Sequence, residues 1–296
     1  MNSTSASLGD DGGRHLAMLG VDCLELVGHG LIFNVHRARL DGSETVVIRS
    51  PRHRWHPTGL HTYLDTNLFL KQETVMTAHA RAHGIPSPEM YIDWSAGEPA
   101  GFSVAEYVPH DGSPLPSSEL GRVMGRIHTL PLPATSLVEQ GDRTADDVVL
   151  HRLVDQARSI QDLAEVPFEL DENVLRERLE GWEPGRSILH MDLRDVNLLT
   201  RGGELIAVID WGNVMIGDPA LEWARMEEFG VVNDEFIQGY TTIRPRPSAP
   251  DAVWLLYRLD TAVMLAAIHF QFSLGEREGH AHLERARQLR DQLLSR

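Results

Sequence analysis

The chain has 296 residues, 42% of them hydrophobic and 24% charged, enough for one large domain or two modest lobes with a real core. Its formal charge of −16 repels a phosphate backbone and argues against a nucleic-acid partner; it suits a cationic small molecule or simply an acidic soluble surface. The single cysteine, Cys23, excludes an intramolecular disulfide framework and a cysteine zinc cage, and fits a reducing, cytoplasmic setting.

Residues 1–13 are small, polar and glycine-rich, without the basic start and apolar core of a signal peptide, and are expected to form a disordered tail. Residues 14–108 read as a small β-rich lobe. Its first β-prone runs are 24–27, 33–40 and 45–48, the last two joined by the hairpin signal Asp41-Gly42. Residues 65–83 are rich in helix formers, with Leu68, Val75 and Met76 at helical spacing; Gly84, Pro86 and Pro88 stop that helix. Two further strands are expected at 91–94 and 101–108. The turn-rich run from His110 to Pro116 then opens a larger helical lobe, 109–296. Helices are expected there at 118–130, 145–163, 172–182, 251–274 and 281–294, with strand candidates at 187–190 and 205–211. The most apolar stretch, 261–272, follows Arg258 and Asp260; it is too short to span a bilayer and reads as a core helix, so no membrane is expected.

Chemistry concentrates between Ile188 and Leu199. An apolar strand delivers His190 and Asp192, and Asn197 follows five residues after that aspartate. A second apolar run, Ala207-Val208-Ile209, ends in Asp210. Phosphoryl transfer asks for such groups. One carboxylate orients the attacking hydroxyl and takes its proton, while a second carboxylate and an amide oxygen hold Mg²⁺ against the phosphates. The alternative is a β-hairpin with incidental polar loop residues.

His190-x-Asp192-x-x-x-x-Asn197, then Ile209-Asp210-Trp211, then Gly217-Asp218-Pro219, is similar to the aminoglycoside phosphotransferase family. The resemblance implies a protein-kinase-like α+β fold, with a small β-rich N-terminal lobe, a larger helical C-terminal lobe and the active site between them. It also implies Asp192 as catalytic base and Asn197 and Asp210 as metal ligands. Met191 stands where the family usually has glycine, and Glu222 where it often has aspartate. Asp218 ahead of Pro219 has a structural explanation as a helix cap. Trp211, after the metal aspartate, reads as a packing residue.

On the nucleotide side, Gly28 and Gly30 flank His29 between the first two strands, where glycines let a backbone approach phosphates. A plain turn is the alternative. Phe33 takes the place of the third glycine of the protein-kinase loop. Arg49 ends the strand that carries lysine in protein kinases, and Glu73 on the next helix is its natural partner. Arginine can make two parallel bonds to a phosphate but is not geometrically equivalent to lysine. Arg49-Ser50-Pro51-Arg52 also resembles the Arg-x-Pro-Arg of macrolide phosphotransferases, which carry histidine where this chain has Asn197. Glu106 to Val108 resembles the hinge whose backbone binds the purine edge, without deciding between ATP and GTP.

Other constellations are missing. The 15 histidines form no His-Glu-x-x-His pair, and there is no Gly-x-Ser-x-Gly elbow. His53, His56 and His61 read as decoration of a solvated loop, His128 as a core residue or cap, and His190 as a brace. The absence of Asp-Phe-Gly and Ala-Pro-Glu argues against a protein substrate. The sequence therefore points to an O-phosphotransferase using Mg²⁺ and ATP or GTP on a small-molecule hydroxyl. Asp195, Trp254, Tyr257, Arg258 and Asp260 are its acceptor candidates, with core and surface of a helix as the bland alternative. An antibiotic acceptor (aminoglycoside, macrolide or nucleoside) is preferred. A metabolic kinase of choline, homoserine or sugar type is the runner-up, and a non-catalytic nucleotide-binding pseudokinase is the competing class.

Overall fold

A computed structural model of the chain describes residues 20–53, 55–58, 61–91, 101–134, 136–137 and 140–296. The expected tail and most of the expected strand at 91–94 lie outside the described residues. In chain order come β1 (Val21–His29), β2 (Phe33–Leu40), β3 (Glu44–Pro51), β4 (Trp55–Thr58), β5 (His61–Asp65), α1 (Thr66–Ala82) and β6 (Ser103–Glu106). Then follow α2 (Ser117–Ile127), α3 (Ala145–Ala164), α4 (Glu172–Glu177), β7 (Ser187–Leu189), β8 (Leu198–Arg201), β9 (Glu204–Val208), β10 (Met215–Gly217), α5 (Pro219–Glu228), α6 (Asp234–Thr241), α7 (Asp251–Gln271) and α8 (Glu276–Leu294).

Two compact units result. The first takes the described residues up to His56, Leu64–Leu115 and Arg194–Val214; the second takes Pro116–Leu193 and Met215–Arg296, with the short stretch 57–63. Residues 109–115 and 194–214 thus group with the β-rich unit, although they lie past residue 108 in the sequence.

The first unit is built on an antiparallel sheet of order β1-β2-β3-β6. Burial alternates along β3, where Val46 and Ile48 are buried among Ala38, Phe102 and Val104, so Val47 and Arg49 project from the opposite face. That face meets α1 through Phe33, Phe69 and Leu70. The Asp65 carboxylate accepts from the Asn67 amide at 2.9 Å and starts α1. β8 and β9 form a separate hairpin, tied to the rest of the unit by the Val208 amide donating to the Pro86 carbonyl at 2.8 Å.

The second unit is mainly helical, with β7 and β10 as a two-stranded pair. Thr144 caps α3, accepting from the Asp147 amide at 3.1 Å and donating to its carboxylate at 2.7 Å. Asp218 caps α5 by accepting from the Ala220 amide at 2.8 Å, with Pro219 in the first helical position. By length and composition α7 could cross a membrane, but 67% of its most apolar window is buried in the unit, where Leu256, Leu259 and Val263 join the main core. The expected core helix is therefore present. Three local expectations are revised. The stretch around His56 and His61 forms the strand pair β4–β5 rather than a loop. The helix expected at 172–182 ends at Glu177. β8 and β10 are strands that polar and glycine residues hid from a reading by apolar runs.

Candidate active site

In the first unit, Leu198 pairs with Val208, and the ladder runs one step further as the Ile209 amide donates to the Asn197 carbonyl at 3.0 Å. Asn197 and Asp210 are thereby brought to the same open end of the hairpin. Asn197 is buried and the Asp210 side chain is 26% exposed. Asp210 adopts φ 64°, ψ 56°, a left-handed conformation that costs a non-glycine residue free energy and collects at functional turns. The Gln72 amide fixes that turn by donating to the Gly212 carbonyl at 2.7 Å. Gly212 has no room for a side chain, since a Cβ would stand 2.0 Å from the Phe69 ring. A carboxylate and an amide oxygen so placed suit Mg²⁺, which prefers few, hard oxygen ligands and leaves its other positions to water and phosphate. Among the described residues no three His, Cys, Asp or Glu converge as a protein-only metal cage.

Arg49 stands opposite Val35 in the β2–β3 ladder. One guanidinium nitrogen pairs with Glu73 and another lies 3.5 Å from Asp210 Oδ2. Burial disfavours the Arg49 charge, but Glu73 and Asp210 outweigh it and hold its pKa above the ordinary value. Burial also pushes Glu73 up, to about 7; Arg49 opposes this and the Asp210 charge adds to it. Glu73 Oε2 has no hydrogen-bond partner. At the first hairpin the Gly30 amide donates to the Phe33 carbonyl at 2.8 Å. A Cβ on Gly30 would come within 3.3 Å of that same oxygen, whereas Gly28 has more space.

In the second unit, β7 leads into His190, Met191 and Asp192. Glu222 Oε1 accepts from the Met191 amide at 2.6 Å, and Oε2 accepts from the His190 amide at 3.2 Å and from His128 Nε2 at 2.7 Å. His128 Nδ1 in turn lies 2.8 Å from the Tyr240 hydroxyl. One turn along α5, Arg225 donates to the Met191 carbonyl at 2.7 Å. Met191 has φ 67°, which accounts physically for a glycine preference at its position. The Asp192 amide donates to His190 Nδ1 at 3.3 Å. Behind this loop Arg225 reaches Asp260 Oδ2 at 3.1 Å, and Arg152 grips both Asp260 oxygens, its Nε at 2.6 Å from Oδ1. All three side chains are buried. Two cations around one carboxylate leave a positive excess, and the Asp192 carboxylate is among the charges acting on Arg225.

Residues 24–247 match the family model described as APH, phosphotransferase enzyme family. The chain belongs to the phosphotransferase enzyme family. Its kinase-like fold is shared with solved structures. A streptomycin–ATP complex of APH(2'')-IIa matches with TM-score 0.62 at 13% identity, covering 97% of each chain. A ternary complex of APH(4)-Ia with ADP and hygromycin B matches with TM-score 0.62 at 17% identity, over 97% of this chain and 98% of that one. Choline kinase LicA from Streptococcus pneumoniae matches with TM-score 0.61 at 16% identity, over 94% and 96%. No curated protein sequence matches. The protein is a phosphotransferase of α+β, protein-kinase-like fold.

The remaining sequence-predicted site residues of this phosphotransferase fall in different settings. The Glu106 amide donates to the Glu89 carbonyl at 2.8 Å, and the Val108 carbonyl accepts from His110 Nδ1 at 2.9 Å. Asp195 is exposed, in a short 3-10 turn. Two acceptor candidates are corrected. Tyr257 and Asp260 are each 0% exposed, Tyr257 donating to Asp146 at 2.8 Å and Asp260 held by Arg152 and Arg225, so a dissolved acceptor meets neither side chain. Half-buried Trp254 donates to Glu227 Oε2 at 2.9 Å, and Arg258 to Glu228 Oε1 at 2.5 Å. Trp211 is fully buried, its indole donating to the Val208 carbonyl at 3.0 Å. Sequence reasoning missed Arg152 and Arg225. Arg225 had a signal, since it lies three residues after Glu222 on the capped helix and shares its face.

Proposed function

We propose that this phosphotransferase moves the γ-phosphoryl group of ATP or GTP to a hydroxyl of a small molecule, with an antibiotic as the preferred acceptor class. The observation that carries the reading is the convergence of Arg49, Glu73 and Asp210, with Asn197 at the same hairpin end as Asp210. Asp192 orients the acceptor hydroxyl and takes its proton as the bond to phosphorus forms and the bond to the leaving oxygen breaks. Asn197 and Asp210 would hold Mg²⁺, which neutralises charge on the phosphates when bound. Arg49 binds phosphate oxygens, and Glu73 holds it by its other edge. Gly28 and Gly30 admit the phosphates, and the backbone from Glu106 to Val108 meets the purine. Asp195 remains an acceptor contact of suitable charge and exposure. The net charge of −16 favours a cationic acceptor by raising its local concentration. The similarity to structures carrying streptomycin or hygromycin B supports the antibiotic reading, and that to a choline kinase supports a metabolic amine alcohol as the second.

The test is Mg²⁺-dependent consumption of ATP and GTP against a panel of antibiotics and hydroxylated metabolites, with mass detection of product. An antibiotic gaining one phosphate is the expected result. Phosphorylation of a metabolite alone replaces the preferred acceptor class with the second. Nucleotide binding with no product from any member would leave an acceptor outside the panel or a pseudokinase, and no nucleotide binding would undo the reading itself.

A further inference from the structure

Arginine in place of the usual lysine brings a problem of shape. A guanidinium is a flat fork, and its two parallel bonds to a phosphate need its plane aligned with the phosphate oxygens. Here the plane has a support. The Arg49 guanidinium carbon lies 4.8 Å from the centroid of the Phe33 ring, within the range of a cation–π contact. Strand register makes this contact possible: Phe33 pairs with Pro51 and Val35 with Arg49, so Phe33 and Arg49 are diagonal neighbours on one face of the sheet. Phe33 is 3% exposed and is itself backed by Phe69, the rings 5.7 Å apart and inclined by 28°. Phe69 and Glu73 lie one turn apart on α1. The helix thus supplies both the floor of the stack and the carboxylate that takes one edge of the guanidinium. Phe69 also fills the space beside Gly212, next to the turn that carries Asp210.

We propose that Phe33 is a positioning residue for Arg49: its ring holds the guanidinium plane so that one edge serves Glu73 and the other stays directed toward Asp210 and the nucleotide phosphates. Where protein kinases use this loop position for a glycine that approaches the phosphates, this chain uses it for a platform under its cation. The proposal rests on the reading of Arg49 as the phosphate-binding cation.

The test is a double-mutant cycle on the full chain, read by titration calorimetry with MgATP and with MgADP and so independent of any acceptor. Phe33→Leu in the Arg49 background should weaken MgATP binding about 5–30-fold, the range from an exposed to a desolvated cation–π contact. Phe33→Tyr, which keeps an aromatic face, should stay within about 2-fold of the parent. In the Arg49→Lys background, Phe33→Leu should change affinity by less than about 2-fold, because a rotating ammonium does not need a planar support. Equal losses in both backgrounds, or a Phe33→Tyr as weak as Phe33→Leu, would show a merely structural ring and overturn the proposal. Thermal midpoints taken alongside identify a variant that fails to fold, in which case Phe33→Met, which fills similar volume without an aromatic face, replaces Phe33→Leu in both backgrounds. If Arg49→Ala itself leaves MgATP affinity unchanged, the reading of Arg49 falls and the platform falls with it. If Arg49→Ala weakens binding and the cycle shows no coupling, the platform alone is refuted.

Discussion

Glu73 and Glu222 are both buried carboxylates beside a candidate site element, one in each unit, and their pKa values move in opposite directions. Burial pushes both up. For Glu73 one arginine opposes burial and the Asp210 charge reinforces it, so the group ends near 7 with Oε2 unpartnered. For Glu222 the hydrogen bond from His128, the charges of His128 and His190 and the Met191 amide overcome burial, and the pKa falls below the ordinary carboxylate value. Both Glu222 oxygens are in use. The difference separates two jobs. A carboxylate whose partners are complete braces backbone; one left short of partners, beside a second carboxylate and a single cation, is a candidate for a place where charge is exchanged with a ligand.

The strongest way to break that comparison is at the residue the brace presents. Asp192→Ala should lower turnover by about 10²–10⁴-fold, the range of a lost general base, while MgATP affinity stays within a few-fold. Single-turnover rates beside calorimetric titration check it, and full turnover in the variant would remove Asp192 from the reaction. Second is the buried cluster behind the brace. Asp260→Ala strands Arg152 and Arg225 without their carboxylate and should cost about 3–5 kcal/mol in urea unfolding. A loss below about 1 kcal/mol would mean that water already shares this cluster. The open side should respond differently. Arg49→Ala should weaken MgATP binding about 10–100-fold, the scale of a charge-assisted hydrogen bond or two, with a smaller loss of stability than at Asp260, because the Glu73 it strands already has a raised pKa and can take up a proton.

Legibility in the sequence divides along the same line. The pairing of Arg49 with Glu73 and the nearness of Asn197 to Asp210 were readable, from strand and helix order and from motif spacing. The β-rich and helical halves were readable from periodicity and from the cap Asp218-Pro219. The brace was only half readable: Glu222 stood at a motif position, while Arg152 and Asp260, 108 residues apart, meet only because α3 packs on α7. Asp260 and Tyr257 looked like ligands for the same reason, since polar residues in an apolar helix signal either a site or a buried partner, and only packing distinguishes them. The grouping of residues 194–214 with the β-rich unit was hidden too, because proximity in sequence to Asp192 says nothing about which core a hairpin joins.

The smallest effect sharpens the comparison most directly. With its folded pKa near 7 against an ordinary 4.5, Glu73 keeps a proton in the folded protein that the unfolded chain releases between about pH 4.5 and 7. Its contribution to stability therefore falls as pH rises through that window, by at most about 1.4 kcal/mol per pH unit. Glu222, with its lowered pKa, contributes stability that is present above the ordinary carboxylate range and lost as pH falls below it. Glu73→Gln removes the titrating group, so the stability of the parent relative to the variant should fall steadily from pH 5 to pH 7, measured as urea midpoints at pH 5, 6 and 7. Groups common to both proteins cancel in that difference. Parallel curves would mean that Glu73 is ionised throughout, and its pairing with Arg49 would then be as complete as the Glu222 brace.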